Sequence, residues 1–174
     1  MSLYIAIDPS LTSTGVVLLK DGELLSMLTI KTEPTETAAQ ELSRLQSIVQ
    51  KIFEVVSKYH GKEDLKAVME APSYCSKSSA IVQLSGLNYL LRDRFSDWHI
   101  PLAIVPPMSL KKFASGKGNS KKEDMKLAVF KRWNFENKSN DIVDSFALAK
   151  MAECIFSGTG TEADMEACKK VEII

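Results

Sequence analysis

Four carboxylates in this 174-residue chain occupy positions that are awkward to explain one at a time. Asp8 follows the apolar run 3–7, Glu70 follows Lys66-Ala67-Val68-Met69, and Asp141 and Asp144 stand three apart in Asn140-Asp141-Ile142-Val143-Asp144. If the fold gathers these acids, each raises the pKa of the others, and the cluster is stable only when cations neutralise it. Oxygen ligands at octahedral geometry select Mg²⁺ or Mn²⁺, and neither His60 nor His99 has the spacing of a zinc ligand. Two such ions about 3.5–4 Å apart activate a water, hold a phosphate in line and stabilise the leaving oxygen, which is what phosphodiester hydrolysis requires.

Each acid also has a plain structural explanation. Asp8-Pro9 is a common turn opener after a strand. Glu70 stands between an apolar run and Ala71-Pro72, where a charge needs a partner, and a lysine could supply it. Asp141 and Asp144 suit the first turn of a helix, with Asn140 or Asp141 as its cap. Residues three apart on a helix nevertheless share a side, about 5–6 Å apart at Cβ, so this pair also suits a single cation. Four acids on three separate elements are better explained together than as independent coincidences.

The elements that must position them are legible in the hydrophobic pattern. Residues 3–7, 15–19 and 24–30 read as three antiparallel strands joined by the turn 9–14 and by Asp21-Gly22. Apolar residues at helical spacing predict a long amphipathic helix over 37–59, stopped by Gly61. A fourth strand over 65–69 is broken by Ala71-Pro72-Ser73, and a helix with a wide apolar stripe follows over about 78–95. Strand 100–105 ends at Pro106-Pro107, with Ser109 as the expected cap of a short helix. A flexible basic loop over 116–120 then leads into helix 122–133 and a last core helix from 141 to about 156. This order predicts an α/β fold with a five-stranded mixed sheet flanked by helices, and ligands at the carboxyl ends of the parallel strands. The domain spans 1–158; the tail 159–174 has no assigned place.

Composition sets the outer limits. With 45% hydrophobic and 25% charged residues, the chain has the balance of a globular domain. No apolar run approaches the roughly 20 residues of a membrane span, and no leader pattern is present, so a cytoplasmic protein with no membrane partner is expected. Cys75, Cys154 and Cys168 are odd in number and lack close pairs, and read as free thiols. Net charge is zero, yet residues 111–138 carry nine Lys or Arg against three acids, which fits a local binding face.

Ile5-Ala6-Ile7-Asp8-Pro9-Ser10 with Thr14-Gly15, then Val68-Met69-Glu70, then Asp141-x-x-Asp144-Ser145-Phe146-Ala147-Leu148-Ala149 form a set. In this order it resembles the RuvC-type Holliday-junction resolvases of the ribonuclease H-like superfamily, over about residues 3–156. The resemblance implies a ribonuclease H-like fold and a metal-dependent endonuclease acting on branched DNA such as a four-way junction. It also implies Asp8, Glu70, Asp141 and Asp144 as catalytic metal ligands for two Mg²⁺ or Mn²⁺ ions. Asp8 would serve both ions, Glu70 one, and the aspartate pair the other.

Lys111 and Lys122 flank the Gly116-x-Gly118 loop where the resolvases carry lysines that meet DNA. Lys122 would stabilise phosphate charge, or be simply an exposed first-turn lysine. Lys111, Lys112, Lys117 and Lys121 would contact phosphates, and Tyr74 would stack on an unpaired base or merely pack. The helix containing Gln83-Leu84-Ser85-Gly86 would build a two-fold homodimer. Cellular resolvases place an aromatic soon after the second acid. Here Ala71-Pro72-Ser73 precedes Tyr74, which is more similar to phage-encoded members. The competing readings are an RNA-processing nuclease of the same superfamily, an actin-like nucleotide-binding kinase or ATPase, and a non-catalytic binder of branched DNA.

Overall fold

The computed structural model describes residues 2–73 and 79–174. Strands β1 (Ser2–Asp8), β2 (Ser13–Lys20) and β3 (Glu23–Lys31) form an antiparallel meander, and β4 (Asp64–Glu70) and β5 (Leu102–Val105) extend it in parallel with β1. Helices α1 (Ala38–Val56), α2 (Ser79–Asp97), α3 (Pro107–Ser115), α4 (Lys122–Trp133) and α5 (Asn140–Ser157) connect and cover the strands. The strand count differs from expectation by one. The tail forms α6 (Glu162–Cys168) and a sixth strand, β6 (Glu172–Ile173), giving the order β3-β2-β1-β4-β5-β6.

β1 and β2 are buried along nearly their whole length because both sheet faces are covered. Alternation along the strands divides the core in two. Leu3, Ile5, Ile7, Val16 and Leu18 pack with Ile48 and Ile52 of α1 and Leu87, Leu91 and Phe95 of α2. Tyr4, Ala6, Val17 and Val68 face the opposite way, onto Phe146, Ala147 and Leu148 of α5. One tryptophan lies against each layer. Trp98 meets Phe53 edge-on at 5.1 Å between ring centroids, and Trp133 meets Phe146 at 6.2 Å.

Helix α1 starts where expected, after Thr37, and ends at Val56, short of the expected 59. Thr37 and Gln40 form a reciprocal capping box at α1. The cap of α3 is not Ser109: Pro106 takes that place and Pro107 the first helical position, where a missing N–H costs nothing. The basic loop is anchored rather than free. Ser115 Oγ and Ser120 Oγ lie 2.6 Å apart, and Ser120 Oγ donates to the carbonyl of Lys117 at 2.9 Å.

The tail is tied down at both ends. Arg132 of α4 lies against the rings of both Phe113 and Trp133 and donates to Asp164 Oδ1 of α6 at 2.6 Å. Ile174 and Leu102 exchange backbone hydrogen bonds at 3.0 and 2.9 Å, so β6 covers the edge of β5. Cys154 and Cys168 are free thiols with Sγ atoms 3.8 Å apart; Cys75 lies outside the described residues. No helix among the described residues is long and apolar enough to cross a membrane.

Candidate active site

Register and alternation bring the four acids together. The parallel pairing of Ile7 with Met69 carries Asp8 and Glu70 to the same end of neighbouring strands. Both continue the even-numbered face of Tyr4, Ala6 and Val68, which α5 covers. α5 begins at this end of the sheet, with Ser139 as its N-cap and Asn140 already helical. Asp141 and Asp144 are therefore not caps. Both are side chains of the opening turns, free to turn toward the strands.

A cavity of about 370 Å³ is lined by Asp8, Glu70, Asp141 and Asp144 together with Lys111 of α3 and Lys122 of α4. The remaining lysines fall elsewhere. Lys117 and Lys121 are exposed on and after the loop, and Lys112 points to α6, 3.8 Å from Glu166 Oε1. Tyr74 lies outside the described residues.

Two side chains that sequence reasoning passed over also serve this site. Ser13 Oγ donates to Asp141 Oδ2 at 2.6 Å, from a turn in which Ser10 Oγ accepts the N–H groups of Thr12 and Ser13. Asn88 of α2 lines the cavity and donates through Nδ2 to the Glu70 carbonyl at 3.3 Å. Its signal was present: Asn88 is a polar residue within the apolar stripe of Leu84, Leu87 and Leu91.

The electrostatics are those of a crowded, poorly solvated anionic pocket. Burial pushes Asp8 well above the usual carboxylate range, and the charges of Glu70, Asp144 and Asp141 push it further the same way. Burial and then Asp144 raise Glu70 to about 7, against its hydrogen bond with Asp8 and the charge of Lys111. Burial raises Asp144 to about 6, although Lys122 pulls it down. Burial and mutual repulsion thus favour the protonated forms of both Asp8 and Glu70. Among the described residues, no group of three or more His, Cys, Asp or Glu side chains stands in ready-made ligand positions. The donor chemistry still fits hard divalent ions: the titratable lining groups are carboxylates and lysines, without histidine or cysteine.

A pH dependence follows. Glu70 and Asp144 keep their protons to higher pH in the fold than in the unfolded chain, so between about pH 4.5 and 7 the unfolded state binds fewer protons. Metal-free stability therefore falls as pH rises through that window, by on the order of 1 kcal/mol per pH unit. Mn²⁺, if held by these carboxylates, would favour their ionised forms, and the trend is then expected to reverse. Melting temperatures across this range, in chelator and in Mn²⁺, check this; a flat profile in chelator contradicts it.

Comparison with known proteins agrees with the fold. The chain is 26% identical over 149 residues to the crossover junction endodeoxyribonuclease RuvC of Synechococcus sp. (strain WH7803), covering 83% of this chain and 94% of that protein. It is 27% identical over 152 residues to the protein of the same name from Prochlorococcus marinus, covering 84% and 95%. The fold matches Thermus thermophilus RuvC with a TM-score of 0.71 at 20% identity, over 90% of this chain and 97% of that one. A second structure, of T. thermophilus RuvC in complex with Holliday junction substrate, matches with a TM-score of 0.71 at 16% identity over 100% of both chains. A family profile described as crossover junction endodeoxyribonuclease RuvC matches residues 4–151, so this chain belongs to the RuvC family of α/β nucleases.

Proposed function

We propose that the cavity hydrolyses phosphodiester bonds in four-way DNA junctions, with Asp8, Glu70, Asp141 and Asp144 holding divalent Mg²⁺ or Mn²⁺. One observation carries this reading: four acids from three elements line a single cavity with two lysines. Asp8 would be the shared ligand, since it stands nearest the middle of the cluster, where the charges of all three other acids reach it. Glu70 would hold one ion and the Asp141–Asp144 pair the other. When bound, the ions supply an activated water and stabilise the leaving oxygen. The chain's own contribution is placement. Ser13 fixes the orientation of Asp141, while Lys111 and Lys122 offer fixed positive charge to a phosphate entering the cavity.

A junction must be cut on two strands, so we place a second copy of the chain on α2. Val82 and Tyr89 of this helix are 73% and 63% exposed and, seven residues apart, share an outer stripe. Gln83 is not part of that stripe, since it donates to Glu41 of α1 at 2.7 Å. The test is a labelled four-way junction incubated with Mg²⁺, Mn²⁺ or chelator. The reading expects paired, symmetry-related nicks only with metal. Cleavage in chelator defeats the metal assignment, and isolated unpaired nicks defeat the two-fold one.

Lys111, Lys112, Lys117 and Lys121 are assigned to phosphate contacts, which orient DNA without reading its sequence. Replacing all four with alanine is expected to weaken binding to every junction sequence alike. Removing one phosphate partner lowers the slope of log affinity against log salt by about 0.9. Titrations at several salt concentrations check this. Lys112 contributes least, because Glu166 already holds it.

A further inference from the structure

We propose that Asn88 is a positioning residue that locks the main chain of Glu70, and with it the orientation of the Glu70 carboxylate toward a divalent ion. The proposal rests on the reading of Glu70 as a metal ligand. Asn88 is only 1% exposed and sits where a leucine would pack among Leu84, Leu87 and Leu91. An amide in such a place is costly unless both its ends are hydrogen-bonded. Both are. Oδ1 accepts from Arg92 Nε at 2.8 Å, and Nδ2 donates to the Glu70 carbonyl at 3.3 Å.

The Arg92 contact assigns the amide, since a guanidinium only donates, and so turns Nδ2 toward Glu70. Arg92 is itself held, with its guanidinium 5.0 Å from the Tyr89 ring centroid. Glu70 is the last residue of β4 and needs this help. The next N–H, of Ala71, donates to Val105 of β5 at 2.8 Å, which fixes the chain on one side. Asn88 fixes it from the other. Without that second tie, the repulsion of Asp144 would act on a carboxylate whose backbone is free to rotate.

The experiment compares wild type, Glu70→Gln, Asn88→Leu and Arg92→Met by the Mn²⁺ concentration that half-saturates the rise in melting temperature, and by kcat and KM for junction cleavage. Asn88→Leu is expected to raise the Mn²⁺ midpoint and lower kcat by about tenfold, the size usual when a hydrogen-bond partner behind a metal ligand is removed, with KM unchanged. Arg92→Met moves both in the same direction by less. It lies at the helix surface end of the relay, so it remains readable if Asn88→Leu fails to fold. Wild-type midpoints and kcat in a folded Asn88→Leu, or in Arg92→Met alone if only that variant folds, overturn the proposal. A Glu70→Gln titration identical to wild type instead removes Glu70 as a ligand, and the proposal falls with that reading.

Discussion

Asp8→Asn is expected to abolish metal-dependent junction cleavage, by on the order of 10³-fold or more, while junction binding survives and the metal-free protein becomes harder to melt. The two effects have one cause. Asp8 is buried beside three other carboxylates, and its ionised form is opposed first by burial and then by Glu70, Asp144 and Asp141. An amide of the same shape keeps the packing and the hydrogen bond to Glu70 without the charge, so the folded state gains at neutral pH in chelator. The same change removes the carboxylate proposed above as the ligand common to both ions. Activity and stability should therefore move in opposite directions, a pattern that a merely structural aspartate does not produce. Cleavage assays paired with thermal melts in chelator check it. A variant that cleaves normally removes Asp8 from the chemistry, and one that melts below wild type contradicts the electrostatic account.

Gly15→Ala is expected to destabilise the fold by about 3 kcal/mol, at the upper end of what overpacking a single methyl usually costs. The reason is contact, not backbone freedom. A Cβ at Gly15 would stand 2.6 Å from Ser145 Oγ and closer still to the Asp141 carbonyl oxygen. Those atoms are backbone or fixed to it, since Ser145 Oγ donates to that same carbonyl at 2.7 Å. Relief requires the first turn of α5 to lift off β2. Gly15 is also the cross-strand partner of Asp8, so lifting this turn separates Asp141 and Asp144 from Asp8. Urea denaturation should show the lower midpoint, and the surviving folded protein should need more Mn²⁺ for the same stabilisation. An unchanged midpoint means that α5 and β2 are less tightly apposed than described.

This apposition shows what the sequence could and could not convey. The strands around Asp8 and Glu70 were readable because apolar runs ended by Pro and Gly leave few alternatives, and α5 because its apolar residues continue for four turns. The convergence of the acids also had a physical basis in the pattern. Residues 8 and 70 share parity with the α5-facing positions on adjacent parallel strands. What escaped were features set by partners distant in the chain. Ser13 bonds to Asp141 across 128 residues, and no local pattern announces that. Asn88 could have been flagged as polar within an apolar stripe, but its partner is a backbone carbonyl and carries no sequence signal. The tail was opaque for a similar reason. Its two-residue strand is too short for periodicity, and its anchor depends on Arg132, which rests against two aromatic rings, meeting Asp164.

The placement of the two tryptophans gives the molecule a pair of intrinsic optical probes. Trp133, beside Phe113 and Phe146, senses the layer that holds the carboxylates, whereas Trp98, against Phe53 and His60, senses the opposite one. Replacing either with phenylalanine leaves a single emitter, so the loosening of each half of the protein can be followed separately by its fluorescence.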